Sequence, residues 1–348
     1  MHSKTSDCML DSHKKTPKIM EATTKSKHNN LKNLILALVV PLPSILFYIY
    51  FLRHYSNPDH LLASLWSWCY HHPFLVTFVL YFLNINVLFW VIANLQSNHW
   101  MIDPYWPAIP VMLVYYYATH PTSSYNPWRS KIVIIMTSLW SLRMSHNYFR
   151  REKWQFGVRE DWRFSDMRQQ YGHNWWWVSF LSIYCAQQIF MMGVTLPYYI
   201  IHTVEAPWSI WDLVAIAICL TGMIVAYYAD TQLHEFRTQN EELKASGTPT
   251  IPILQKGLWQ YSRHPNYFGE QLWWWGLGIL AWSLGQRWIL IGALVNTLCL
   301  SYVATLVEER MLKQSFRAEA YREYQKTTSV CIPWFKSSSL EETKDKTS

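Results

Sequence analysis

The residues most able to do chemistry form one run, Gly257-Leu258-Trp259-Gln260-Tyr261-Ser262-Arg263-His264-Pro265-Asn266-Tyr267-Phe268-Gly269-Glu270, where a polar loop meets an apolar stretch. Arg263 offers a planar two-pronged donor that matches a phosphate. Asn266 can both donate to and accept from an amide. Pro265 suits the first position of a helix, and Gly269 allows a neighbouring backbone or a ligand to come close. Glu270 lies one turn inside the apolar stretch, where a carboxylate is costly unless it is paired or functional. Taken blandly, the run is a helix cap with an interfacial arginine and a structural Glu–Arg pair. Taken together, Tyr261, Arg263, His264, Asn266 and Glu270 are the equipment of a site for a phosphorylated, amide-bearing molecule.

Four further segments carry similar residue types. Asp230 and Arg237 stand seven apart, two helical turns, and so share a face; alone they read as an ordinary polar helix end. Arg143 to Arg163 mixes Tyr148, Arg150, Arg151, Glu152, Glu160 and Asp161 with aromatic rings, more varied than a basic loop requires. Asp103-Pro104 reads first as a turn or cap. Glu308-Glu309-Arg310 followed by Tyr321 and Tyr324 fits an amphipathic interfacial helix, with acids at a membrane edge as its odd feature.

The elements that must position these groups are membrane helices. Of 348 residues 51% are hydrophobic and only 15% charged, against about 25% charged in soluble domains. The 21 Trp and 22 Tyr favour the membrane–water boundary. A crossing takes about 20 mostly apolar residues, and candidates are 33–53, 74–95, 105–119, 131–147, 175–200, 207–229, 268–284 and 287–306. The expected fold is an all-α polytopic transmembrane bundle of seven or eight spans. Residues 1–30 and 336–348 are expected to be disordered tails, 31–100 to form N-terminal transmembrane helices, and 101–335 a catalytic membrane domain. No cleavable signal is read before the first span.

With the N-terminal tail in the cytosol, nearly all Lys and Arg fall on the cytosolic side, and only Arg53, Arg129, Lys131 and Arg287 fall opposite. The chemically capable segments then lie at cytosolic helix ends, where a soluble charged cofactor and a bilayer lipid can meet. The net charge of +7 reflects this orientation rather than nucleic acid, for which no motif is present. Six scattered cysteines without a CxxC pair speak against structural zinc, a bound metal or a disulfide scaffold. No GxGxxG follows a strand, so a nucleotide would have to be held by helix ends and loops.

The Arg263-to-Glu270 run closely resembles the C-terminal signature of the steroid 5-alpha-reductase family, in particular its uncharacterised DUF1295-like branch, over roughly residues 100–335. The resemblance implies an NADPH-dependent membrane enzyme of the endoplasmic reticulum that reduces a carbon–carbon double bond of a steroid or other lipid. It places Asp230 and Arg237 against the nucleotide. Asn147-Tyr148-Phe149-Arg150-Arg151 matches a stretch whose tyrosine polarises the substrate carbonyl and whose arginine lies near the cofactor, so Tyr148 and Arg151 inherit those roles. Asp103 stands where an acidic partner of the tyrosine would serve, although the local sequence differs, and Glu270 is the second candidate to orient the tyrosine or relay the proton. Glu309 and Arg310 correspond loosely to cofactor-side positions.

Two other classes fit parts of the pattern. An isoprenylcysteine-carboxyl-methyltransferase-like enzyme using S-adenosylmethionine would share Arg-His-Pro-x-Tyr-x-Gly, Glu-Glu and a late Tyr-x-x-Tyr. Asp230…Arg237, Asn266 and the Tyr148–Arg151 loop favour the reductase. A non-enzymatic sterol-binding scaffold is the third class; intact Tyr148, Arg263, Asn266 and Glu270 favour retained chemistry.

Overall fold

The computed structural model describes residues 29–335. The expected tails lie outside the described residues, except that Asn29 and Asn30 already begin the first helix. The fold is all-α: α1 (Asn29–His54), α2 (Ala63–His71), α3 (Pro73–Gln96), α4 (Ile102–Tyr105), α5 (Ala108–Thr119), α6 (Pro127–Arg151), α7 (Trp162–Thr203), α8 (Ile210–Ala245), α9 (Pro265–Ser283), α10 (Arg287–Leu312) and α11 (Ser315–Thr327). Among the described residues the one β-bridge joins Ser262 to Ser329.

Five of these helices, α1, α3, α7, α8 and α10, are long and apolar enough to cross a membrane. The other three candidate spans are helical too, but each falls short for a visible reason. The 12 residues of α5 extend only about 18 Å at about 1.5 Å per residue, against a hydrocarbon core of about 30 Å. Helix α6 carries Arg129, Lys131, Arg143, Arg150 and Arg151, and α9 carries Glu270 among its tryptophans.

The chain divides into two compact units. The first comprises residues up to Ser67, Phe78–Tyr105 and Tyr148–Cys185. There the start of α1 is stitched to the loop after α6: Asn33 donates to the Phe156 carbonyl at 3.0 Å, and Phe156 N–H donates to Asn30 at 2.6 Å. The Trp90 indole donates to the Trp176 carbonyl at 2.7 Å, satisfying a backbone group that apolar surroundings would leave costly.

The second unit comprises Trp68–Thr77, Trp106–Asn147 and everything from Ala186 onward. Its frame is the α8–α9 pair. A Cβ at Gly269 would lie 2.6 Å from the Ala226 nitrogen and the Gly222 carbonyl oxygen, and one at Gly276 would lie 2.4 Å from Cys219 Sγ. Small residues thus let the two backbones touch, as membrane helices require where no hydrophobic force drives them together. Arg129, fully buried, fixes the start of α6 to the start of α8 through Asp212 at 2.6 Å and the carbonyls of Ala206 and Pro207. Gly269→Val is expected to cost about 1–3 kcal/mol, the usual range for overpacking. Melting in detergent checks this; an unchanged midpoint would show that the helices can part freely.

Candidate functional site

The sequence-expected residues fall into three clusters, one in the first unit and two in the second. In the first unit, the last turn of α6 supplies Tyr148 and Arg151, and α4 supplies Asp103. Arg151 Nη2 stands 3.8 Å from Asp103 Oδ2, and its Nε donates to Glu152 at 2.9 Å. Arg159 donates to the same Glu152 oxygen at 2.7 Å. The Arg151 guanidinium also lies over the Tyr148 ring, 5.5 Å from its centre. Asp161 begins α7 as its cap: it accepts from the Arg163 backbone N–H and binds the Arg163 guanidinium, each at 2.9 Å. Burial works against the Asp161 anion, but these Arg163 bonds more than offset it and hold the carboxyl below its usual range.

Tyr148 is buried, and its hydroxyl has no hydrogen-bond partner among the described residues. Burial, followed by the negative charges of Asp103 and Glu152, raises its pKa. The phenol therefore stays protonated at neutral pH and can act as a donor. Burial, then the charge of Asp161, pushes Asp103 up to about 6 against the pull of Arg151. Because the folded value exceeds that of the unfolded chain, the folded state holds the extra proton between them. This stabilising contribution is complete below about 3.9 and is lost as pH rises to about 6. Asp103→Asn is expected to flatten the fall in melting temperature across that window; an unaltered slope would assign the titration to another group.

In the second unit, α6, α8 and α9 bring four polar side chains into one partly buried knot. Arg143 donates to Asp230 Oδ2 at 3.2 Å and forms a close pair with Glu270. Trp140, one turn before Arg143, donates its indole N–H to Glu270 Oε2 at 3.0 Å. Asn266 donates its amide to Asp230 Oδ1 at 3.2 Å. Asp230, Asn266 and Glu270 are thus brought together. Arg143, the common partner of the two acids, went unassigned. The signal for it was present: an arginine inside an apolar run needs a partner for the same reason as Glu270 does.

The other cluster of the second unit is a clasp. Arg263 donates to Glu308 twice, from Nε at 2.8 Å and from Nη2 at 3.2 Å, while Nη1 reaches the carbonyls of Gln325, at 3.2 Å, and Thr328. His264 Nε2 lies 3.1 Å from Glu308 Oε1, and Gln325 donates to Oε2 at 2.7 Å. Ser262 and the Arg263 N–H hold the 329–331 segment, and Tyr324 donates to the carbonyls of Trp259 and Ser262. Four of the five Arg263 N–H donors are spent on protein acceptors, so the residue read as a phosphate fork is built in as a fastener. The acid it uses is Glu308, the neighbour of the expected Glu309.

Arg237 is exposed on α8, two turns beyond buried Asp230; Tyr261 packs edge-on against Phe335, 6.3 Å between ring centres; Glu309 and Arg310 are exposed on α10. A groove of about 830 Å³ in the second unit is lined by Gln232, Glu235, Phe236, Gln239, Pro252 and Glu323 among others. None of the expected site residues lines it, and Glu235 and Glu323 face it together with Lys256. Among the described residues no group of three or more His, Cys, Asp or Glu is arranged to hold a metal.

Comparison with known proteins places this geometry. An uncharacterized protein of Schizosaccharomyces pombe is 26% identical over 222 residues, 58% of this chain and 63% of that protein. The 3-oxo-5-alpha-steroid 4-dehydrogenase 1 of Mus musculus is 31% identical over 122 residues, 35% of this chain and 42% of the enzyme. The Delta(14)-sterol reductase LBR of Gallus gallus is 29% identical over 114 residues, 31% of this chain and 15% of that protein. The chain thus spans less than two thirds of the length of each of these relatives. No solved structure matches the chain significantly. The model of the protein family of unknown function DUF1295 matches residues 89–328, most of the chain and all three clusters, and this multi-pass, all-α membrane protein belongs to that family, as the steroid 5-alpha-reductase-like pattern in its sequence implied.

Proposed function

We propose that this protein is a membrane reductase that adds two hydrogens across a carbon–carbon double bond of a steroid or other lipid enone, with NADPH as reductant. The observation that carries the reading is the hydroxyl of buried Tyr148, held protonated near Asp103 and without a hydrogen-bond partner among the described residues. The named relatives support it: one is a sterol reductase and another a steroid dehydrogenase.

Reduction of an enone needs a hydride at the β-carbon and a proton at the α-carbon, and negative charge builds on the carbonyl oxygen in between. NADPH, when bound, supplies the hydride. The Tyr148 hydroxyl donates to the carbonyl oxygen as that charge develops, the role of an oxyanion donor. Arg151, on the Tyr148 ring face, keeps the ring oriented. Asp103, neutral below about 6, can pass a proton toward the α-carbon. In the second unit, exposed Arg237 presents guanidinium surface to a phosphate, which Arg263 does not. The fit to a dinucleotide rests on one orphan: Asn266 Oδ1 is buried without a partner and calls for an N–H or O–H donor, such as an amide or ribose hydroxyl. The site would lie on the cytosolic face of the endoplasmic reticulum membrane, with the N-terminus cytosolic.

The rival reading is a methyltransferase using S-adenosylmethionine. Thermal shift of the full chain in detergent separates the two. NADPH should raise the melting temperature and S-adenosylmethionine should not; the reverse result would sink the reductase.

A further inference from the structure

Two buried polar atoms in the knot of the second unit are unsatisfied: Arg143 Nε, a donor, and Asn266 Oδ1, an acceptor. Each costs roughly 1–3 kcal/mol if left so. Their orientations are not free. The Asp230 carboxylate only accepts, so it draws the NH₂ of Asn266 toward itself, at 3.2 Å, and turns the amide oxygen away. The same carboxylate takes Arg143 Nη1 at 3.2 Å, while Glu270 takes Nη2, and Nε is the guanidinium nitrogen that reaches no acceptor. Glu270 is itself anchored by the Trp140 indole at 3.0 Å. An ion triad thus fixes one unpartnered guanidinium nitrogen and one unpartnered amide oxygen on side chains that share Asp230.

The chemical group that satisfies both at once is a primary carboxamide, whose C=O accepts and whose NH₂ donates. Arg143, Asp230 and Glu270 together carry one net negative charge, which disfavours a phosphate in the same place and suits a neutral or cationic ring. We infer that Arg143 is a carboxamide-reading residue: its Nε–H takes the amide oxygen and Asn266 Oδ1 takes the amide NH₂ of a nicotinamide. This rests on the reductase reading and adds to it a residue that the sequence pattern had left without a role.

The test compares two ligands on the full chain in detergent: NADPH and 2′-phospho-ADP-ribose, which keeps the phosphates and adenine but lacks the nicotinamide. Arg143→Lys keeps the positive charge for Asp230 and Glu270 and removes the Nε–H. Binding is read by tryptophan fluorescence, with melting temperature as the check on folding. The inference predicts that Arg143→Lys loses about tenfold in affinity for NADPH, one hydrogen bond's worth, while its affinity for 2′-phospho-ADP-ribose stays at the wild-type value. Asn266→Leu should show the same selective loss. If either variant weakens both ligands equally, or neither, the residues only support the helices and the inference is overturned. If the wild-type chain binds neither ligand, the reductase reading itself falls and takes this inference with it.

Discussion

Tyr148→Phe is expected to lower turnover of a lipid enone roughly 10²–10³-fold, the cost of removing one oxyanion donor, with NADPH affinity close to wild type. The substitution removes one oxygen and keeps the ring under the Arg151 guanidinium, 5.5 Å from its centre, so the fold loses little. The hydroxyl has no hydrogen-bond partner among the described residues, so its removal leaves no protein group unsatisfied. A variant that melts like wild type but turns over slowly therefore isolates the chemical role of the oxygen. Single-turnover measurement at saturating NADPH checks it. Turnover equal to wild type would remove Tyr148 from the chemistry.

Glu308→Ala is expected to destabilise the protein by about 3–5 kcal/mol, as breaking one side of a buried ion pair does. Its side chain is 12% exposed and that of Arg263 is 7% exposed, so the arginine left behind has little access to water. Gln325 and His264 lose the same acceptor, and the segment around Thr328 loses its fixed anchor. Arg263→Ala should cost a similar amount for the converse reason, leaving Glu308 without its cation and two carbonyls without the Arg263 donor. The double variant should be scarcely worse than either single one, since both remove one clasp. Denaturation in detergent measures all three. An Arg263→Ala protein of unchanged stability that has lost affinity for phosphorylated ligands would restore Arg263 to the phosphate.

How far the sequence was legible follows from what each residue needs. Helices α1, α3, α7, α8 and α10 were visible because long apolar runs have few alternatives in a bilayer. The span status of α5, α6 and α9 was harder to read: tryptophans and buried charges satisfied by partners break the apolar signal, and partners belong to tertiary structure. Glu270 was recognisable as a buried acid from its position, but its mate Arg143 is 127 residues earlier, beyond any local pattern. Arg263 looked like a phosphate ligand because residue type gives donors and not their destinations. Only the fold shows that Glu308, Gln325 and Thr328 consume them. Asp230 and Asn266 were chosen for a nucleotide, and the structure adds that the one orients the other.

The most direct measurement supplies the purified full-length protein, in lipid nanodiscs, with NADPH and a panel of steroid and sterol enones, and follows the lipids by mass spectrometry. The account predicts that one lipid class gains two hydrogens, in step with loss of NADPH absorbance, and that Tyr148→Phe abolishes the gain. Lipids left unchanged while a labelled methyl group passes from S-adenosylmethionine to an acceptor would contradict it.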